Sequence, residues 1–181
     1  MIGFQIIAAI ATLFSVVAMS KEKISGWALG LIGLSMFFFI YYHEKLYLQM
    51  ILQVFFFGQG IYGWITWRKN GSFRRPRWLD LTSCLSQFGI VLVVTFLLSM
   101  VYGSYTDASS PFFDTFTTGL CLLGNYWMAK KYIQTWFVWG LVNIILFFLF
   151  YSSGLYIVSV IELILFIVSL SSIMAWRKRS S

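Results

Sequence analysis

Residues 64–69 read WITWRK and residues 173–178 read IMAWRK, so two apolar stretches close with the same three letters. The two endings lie 109 positions apart in a chain of 181 residues. Each places a tryptophan before an arginine and a lysine, an order typical of a membrane helix that passes through the headgroups into the cytosol. The recurrence predicts two copies of one membrane-helix unit.

Composition places the chain among polytopic α-helical membrane proteins. Hydrophobic residues make up 60% and charged residues 10%, with a mean hydropathy of +0.82, whereas a soluble domain carries about 25% charged residues. The apolar runs are continuous, which favours helices over the short alternating segments of a β-barrel. The net charge of +7 resides at the ends of these runs, so we expect no nucleic-acid partner and a lipid bilayer instead.

Seven hydrophobic segments predict seven transmembrane helices, so the two termini lie on opposite sides. With the N-terminus outside and the C-terminus inside, 12 of the 13 lysines and arginines are cytoplasmic, and only Lys45 is external. Cytoplasmic loops carry such an excess of basic residues. The predicted segments are 2–19, 25–42, 46–66, 82–103, 112–129, 134–151 and 155–175.

A shift of 109 aligns residues 1–70 with residues 110–179 without a gap and gives 15 identities. Matched Trp, Lys and Arg are harder to attribute to shared hydrophobicity than matched Phe or Leu. We therefore predict a 3+1+3 architecture of two parallel three-helix repeats. The first repeat spans 1–69, a basic cytoplasmic loop and a linking helix span 70–109, and the second repeat with a basic C-terminus spans 110–181.

This layout is shared by two transporter families, and local sequence favours one of them. The stretch IYGWITWRKNG (61–71) resembles the end of the third core helix in the PnuC family of bacterial vitamin transporters. The stretch KKYIQTWFVWGLVNII (130–145) resembles their sixth core helix, with a W-x-x-W motif and a polar residue four positions on. The other family with this layout is the sugar-transporting SWEETs.

The PnuC resemblance implies a multi-pass protein of the bacterial inner membrane that carries a B-vitamin-type molecule by facilitated diffusion and alternating access. The implied substrate is most often nicotinamide riboside, with thiamine or riboflavin in other members. A cytoplasmic vitamin kinase would trap the product by phosphorylation, and a homotrimer is the assembly that the resemblance implies. No ATP-binding motif is present, so we expect no cofactor.

Polar residues inside predicted membrane helices are the first candidates for a substrate site, because burying them in hydrocarbon is costly. Gln53, Asn143 and Glu162 each lie roughly 12–13 Å into their predicted segments at about 1.5 Å per residue. Gln53 and Glu162 occupy equivalent repeat positions. Their alternative roles are interhelical hydrogen bonding for the two amides and a protonated core residue for Glu162.

Aromatic residues extend the candidate site. Trp64 and Trp139 lie one turn deeper than the tryptophans nearest the predicted cytoplasmic ends and could stack a planar ligand, and Gln59 and Tyr62 are lesser candidates on an adjacent face. We instead expect an aromatic-belt role, at the headgroup level, for the tryptophans closest to the cytoplasmic ends, which are Trp27, Trp67, Trp127, Trp136 and Trp176.

The charge of Glu162 narrows the range of predicted substrates. An ionised Glu162 favours a cationic ligand such as nicotinamide riboside or thiamine, and neutral riboflavin or a sugar gains nothing from it. The rival classes are a SWEET-like sugar carrier, an integral-membrane enzyme and a scaffold subunit. An enzyme would need convergent His, Cys or carboxylate groups in a spacing that is not found, so we expect no catalytic and no metal-binding residues. Cys84 and Cys121 are predicted to be packing residues.

Overall fold

The structure, a computed structural model, describes residues 2–43, 47–70, 75–105, 111–152, 154 and 156–180. Within them the chain is all-α, as predicted, and seven helices agree with the predicted segments to within a few residues. The helices α3 and α7 run further than predicted, so that both WRK sequences lie inside a helix. Their bounds are α1 Ile2–Ser20, α2 Ser25–His43, α3 Tyr47–Asn70, α4 Leu81–Tyr105, α5 Pro111–Ala129, α6 Thr135–Ser152 and α7 Tyr156–Ser180. Lys45 and residues 71–74 and 106–110, which belong to predicted connections, lie outside the described residues.

Four stretches are long and apolar enough to cross a membrane, by length and composition, in the part of the chain that the structure describes. They are Ser25–His43, Leu81–Tyr105, Thr135–Ser152 and Ser159–Ser180. The other helices carry more polar residues or are described over a shorter apolar stretch. α3 has 24 residues and α5 has 19, or roughly 36 Å and 28 Å at 1.5 Å per residue.

Local sequence explains where several helices begin and end. Asp80 caps α4, because its Oδ2 accepts the Ser83 backbone N–H at 2.8 Å, and this bond holds the pKa of the Asp80 carboxyl below its usual range. α5 begins at Pro111, whose missing N–H is not needed at the first helical position. Basic residues occupy the last turns of α3 and α7, where they interact favourably with the negative helix end.

The chain forms two compact units. The first comprises Met1–Arg75 together with Met128–Lys131, and in it α2 packs against both α1 and α3. Glycines bring α1 and α2 close together: a Cβ added at Gly33 would lie 2.8 Å from Thr12 Oγ1, and one at Gly30 would lie 2.9 Å from Ser15 Oγ.

The second unit comprises Pro76–Trp127 and Tyr132–Ser181, so α4 belongs to the same unit as α5, α6 and α7. Its core is a buried hydrophobic cluster formed by Leu120, Leu123, Trp127, Val138 and Val142. Cys84 and Cys121 are free thiols packed against this cluster, which agrees with the predicted packing role. A Cβ added at Gly119 would lie 2.5 Å from the Thr95 side chain, so α4 and α5 are in close contact.

The α1–α2 turn and the α5–α6 turn have the same backbone geometry. Glu22 and Lys131, which are 109 positions apart, both adopt a left-handed conformation, with φ of 57° and 56°. The backbone N–H of Glu22 donates to the carbonyl of Met19, and that of Lys131 donates to the carbonyl of Met128. Non-glycine residues rarely adopt positive φ, so the shared conformation is a specific similarity of the two turns.

Side-chain contacts also recur at the same separation. Trp27 and Trp67 meet edge to face with ring centroids 5.7 Å apart, and Trp136 and Trp176 do so at 5.4 Å. The hydrogen bond between the first two helices of each set recurs with its direction reversed. Ser15 Oγ donates to the Gly26 carbonyl at 2.7 Å, whereas Thr135, the equivalent of Gly26, donates to the carbonyl of Gly124, the equivalent of Ser15, at 2.8 Å.

The aromatic-belt prediction was wrong for the five tryptophans near the predicted cytoplasmic ends. All five are at most 5% exposed, and Trp136 and Trp176 are fully buried. Belt residues present their rings to the lipid interface. These rings instead pack inside their units, where the two edge-to-face pairs join α2 to α3 and α6 to α7.

Candidate functional site

Gln53 lies on α3 and is 8% exposed, so its amide is buried as a site residue would be. It lines a cavity of about 270 Å³ between α2 and α3, whose other walls are Leu34, Ser35, Phe38, Phe39, Val54 and Phe57. The cavity is smaller than the usual 300–1,000 Å³ of ligand pockets. Its walls are mostly apolar, with the Gln53 amide and the Ser35 hydroxyl as the polar groups among the lining residues, and they suit a flat ring.

Asn143 lies on α6 in the second unit and is 5% exposed. Its Nδ2 donates to Ser169 Oγ on α7 at 3.4 Å, and Ser169 Oγ donates in turn to the Leu165 carbonyl. At the equivalent positions of the first unit, Leu34 packs over Gly60, and a Cβ added there would lie 3.9 Å from Leu34 Cδ1. A polar contact in the second unit thus replaces an apolar one in the first.

Glu162 is half-buried on α7, six residues after the helix begins at Tyr156. Gln53 stands six residues after the start of α3, so the two side chains have the same place in their helices. Glu162 is the one acidic residue of α7. A carboxylate in an apolar helix offers a counter-charge to a cation.

The predicted aromatic and lesser candidates are less uniformly placed. The half-buried Trp139 lies against α5, with its Nε1 3.2 Å from a Cβ added at Gly124. Trp64 is 39% exposed and Tyr62 is 40% exposed. Lys130 Nζ lies 5.4 Å from the centroid of the Tyr62 ring, so Tyr62 contacts the α5–α6 turn rather than the region of Gln53. Gln59 is half-buried.

A charged pocket at the end of α3 escaped the sequence prediction. It has a volume of about 540 Å³ and lies in the first unit. Its walls come from the α1–α2 turn, the end of α3 and the α5–α6 turn. They are Glu22, Lys23, Ile24, Ser25, Trp67, Arg68 and Lys131.

Lys131 and Glu22 form an ion pair in this pocket, with Nζ 2.9 Å from Oε2. The Lys131 side chain is 4% exposed and that of Glu22 is 15% exposed. Lys131 Nζ also lies 4.9 Å from the centroid of the Trp67 ring, and Trp67 Nε1 donates to the Met128 carbonyl at 3.2 Å. One signal could have revealed the pair, since the shift of 109 aligns a glutamate with a lysine.

Catalytic or metal chemistry finds no support in this set. Among the described residues, no group of three or more His, Cys, Asp or Glu side chains could hold a metal ion. Each unit, taken by itself, offers polar groups among apolar helices: the buried Gln53 amide in the first, and the buried Asn143 amide and half-buried Glu162 carboxyl in the second.

A family model described as "Nicotinamide mononucleotide transporter" matches residues 2–178. The chain belongs to this family. It is a family of transporters, and the several apolar helices make the chain a multi-pass membrane protein. The predicted recognition as a PnuC-type transporter is confirmed by this family and by relatives named PnuC.

Two relatives illustrate the similarity. The chain is 28% identical over 200 residues to "Nicotinamide riboside transporter PnuC" of Escherichia coli (strain K12), with 95% of this chain and 84% of that protein covered. It is 24% identical over 147 residues to the protein of the same name from Neisseria mucosa, with 77% of this chain and 56% of that protein covered.

A solved structure supports the fold. The chain is similar to the "Crystal structure of the Vitamin B3 transporter PnuC" with a TM-score of 0.71 and 23% sequence identity. The match covers 98% of this chain and 83% of that one. The seven-helix arrangement is therefore that of a PnuC fold.

Proposed function

We propose that the protein carries nicotinamide riboside across a bacterial inner membrane by facilitated diffusion. The observation that carries the proposal is a match over nearly the whole chain to proteins named for that substrate. The riboside would cross the membrane by alternating access at a substrate site. The proposed site residues are Gln53, Asn143, Glu162, Trp64 and Trp139, with Gln59 and Tyr62 at the edge. Phosphorylation by a cytoplasmic vitamin kinase would then trap the riboside.

Charge favours the riboside over the mononucleotide as the transported species. The two differ by one phosphate group, which needs a cation when it leaves water. The sequence has no Lys or Arg between Lys45 and Arg68 or between Lys131 and Arg177, which covers the interiors of α3, α6 and α7. When ionised, Glu162 supplies the opposite charge, which suits the pyridinium ring of the riboside.

The proposed mechanism uses a 3+1+3 arrangement in which α1–α3 and α5–α7 are parallel repeats and α4 links them. Three observations support it: the left-handed turn residues, the tryptophan pairs and the reversed hydrogen bond all recur 109 positions apart. Parallel repeats of this kind place substrate sites near the bilayer midplane. The distribution of basic residues supports the N-out, C-in orientation.

Replacing Glu162 by Gln tests the proposed counter-charge. Because the change removes the charge and nearly preserves the shape, we expect counterflow of labelled nicotinamide riboside in proteoliposomes to fall at least tenfold, which corresponds to about 1.4 kcal/mol. Thiamine, also a cation, should be tested as a competitor, because the carboxylate alone favours either.

Asp114→Asn is the matched control, since it makes the same change of a carboxylate to an amide in the first turn of α5. It should leave counterflow within twofold of the unmodified protein. Equal counterflow by the Glu162→Gln protein, at equal reconstituted amounts, would remove Glu162 from the site. Absence of riboside counterflow by the unmodified protein would overturn the proposed substrate.

A further inference from the structure

The charged pocket at the end of α3 has more positive charge than its ion pair neutralises. Three basic side chains, those of Lys23, Arg68 and Lys131, line it together with one acidic side chain, that of Glu22. Glu22 is bonded to the buried Lys131 at 2.9 Å, so this pair is neutral as a unit. Lys23 and Arg68 are exposed at the pocket and leave a net charge of +2 on its walls.

We propose that this pocket binds the phosphate group of an organic phosphate. Arginine presents paired N–H donors that fit phosphate oxygens, and lysine adds a second positive charge. The α2 helix begins at Ser25 in the pocket wall, and the positive end of a helix favours an anion there. The buried Glu22–Lys131 ion pair stabilises the pocket wall. Because this pair is neutral as a unit, it does not attract a cation.

The volume of about 540 Å³ leaves room for more than a phosphate ion and lies within the range of small-molecule pockets. Trp67 contributes an apolar wall beside the basic groups. A nucleotide with one phosphate and a planar base has the matching chemistry. Anionic lipid headgroups also carry phosphate, so a headgroup of the inner leaflet is the other source of this ligand.

The physiological ligand, but not the anion chemistry, rests on the proposed function. In the proposed orientation the pocket opens to the cytosol, where a kinase would convert imported riboside to the mononucleotide. The mononucleotide would then bind at the exit end of the transporter and slow further entry. The transported and the regulatory molecule would differ by a single phosphate group.

Binding to the purified full-length protein in neutral detergent tests the proposal directly. Titrations should compare nicotinamide mononucleotide, inorganic phosphate and nicotinamide riboside, each with and without the others. We expect the mononucleotide and inorganic phosphate to compete with each other, and saturating phosphate to leave riboside affinity within twofold. Failure of phosphate to displace any bound mononucleotide would overturn the proposal.

The test variant is Lys23→Gln/Arg68→Gln, and its matched control is Lys21→Gln/Lys69→Gln. Both remove two positive charges from neighbouring exposed positions, but the control residues are not among those that line the pocket. We expect the test variant to lose at least tenfold in affinity for mononucleotide and phosphate, and the control to stay within threefold. Equal losses in both variants would show general charge attraction and would contradict a built site.

Nanodiscs separate the two sources of phosphate. In discs of phosphatidylcholine alone, mononucleotide binding should match that in detergent. Discs with a third of anionic phosphatidylglycerol should weaken it only if headgroups occupy the pocket, and the test variant should abolish this competition. Either result supports a phosphate site and identifies its source, whereas absence of mononucleotide and phosphate binding in detergent and in both kinds of disc refutes it.

Failure of this proposal is distinguishable from failure of the proposed function. Normal riboside counterflow without phosphate binding would refute the pocket proposal alone. Phosphate binding without riboside counterflow would refute the transport proposal and leave the anion site standing. Mononucleotide loaded inside proteoliposomes should reduce the entry of riboside through the unmodified protein. It should not reduce entry through the test variant.

Discussion

Asn143 makes a packing contact and is also a proposed substrate-binding residue. Its amide reaches Ser169 on the neighbouring helix at 3.4 Å, the long end of hydrogen-bonding distance. Interhelical bonds of this kind in membranes contribute on the order of 0.6 kcal/mol. A bond this weak stabilises the helix pair by less than the burial of an amide costs. This difference supports a second role for Asn143 in binding substrate.

Two substitutions separate these roles. Asn143→Leu introduces the residue found at the equivalent position 34 and removes the amide, whereas Ser169→Ala removes only its partner. If Asn143 binds substrate, the first should reduce riboside counterflow at least tenfold and the second less than threefold, with the melting temperatures of both close to that of the unmodified protein. Similar small losses of counterflow in both, with lowered melting temperatures, would assign Asn143 to packing.

Sequence reasoning found the polar residues but not their surroundings. Gln53, Asn143 and Glu162 stand out because polar groups are rare in apolar helices, and the structure places the first two in buried positions and Glu162 half-buried. The direction of a tryptophan ring carries no such signal. Trp67 looks the same in sequence whether it faces lipid or, as found, lies beneath Lys131 at 4.9 Å.

Among the elements, the pairing of α2 with α3 depends on one missing side chain. A Cβ added at Gly63 would lie 2.3 Å from the Trp27 ring, far inside van der Waals distance. The Trp27 ring is 2% exposed and already packed against Trp67, so it has little room to move. Gly63 therefore permits the close approach of the two helices, whereas Gly58 on the same helix has nothing within 4 Å of its added Cβ.

Gly63→Ala should destabilise the protein by about 1–3 kcal/mol because it overpacks a rigid contact. Gly58→Ala is its control: at an open position in a helix, alanine should be neutral or stabilising by up to about 1 kcal/mol. Thermal unfolding of both variants in the same detergent measures the difference. Equal melting temperatures would mean that Trp27 has an alternative position.

The helices themselves could be predicted because continuous apolar runs and terminal charges are local properties. The ends of α3 and α7 differ from the prediction, because both helices continue through Arg and Lys, which stabilise a helix C-terminus as well as mark a membrane boundary. The Glu22–Lys131 contact depends on how turns far apart in the chain meet. The one sequence signal for this contact is that the 109-residue shift aligns Glu22 with Lys131.

At the scale of the whole molecule, the proposed topology makes opposite predictions for two positions. A cysteine at Ser109, two positions before the start of α5, should react with a membrane-impermeant maleimide in intact cells. A cysteine at Ser180 should react only after the membrane is opened. Both are placed in a background with Cys84 and Cys121 replaced by Ser or Ala, and riboside uptake confirms that each variant is folded. Labelling of the cysteine at position 180 from outside would show that the orientation is the reverse of the proposed one. The phosphate pocket would then lie on the external face.

The ion pair of Glu22 and Lys131 joins two positions that the 109-residue shift makes equivalent. Had a three-helix chain assembled with its own copy, the same contact would bring two identical side chains together, and two glutamates or two lysines there would repel each other. In the proposed repeat architecture, the presence of both copies in one polypeptide lets each position change alone. Opposite charges at this contact would then be available to a gene that encodes both copies but not to a symmetric pair of identical chains.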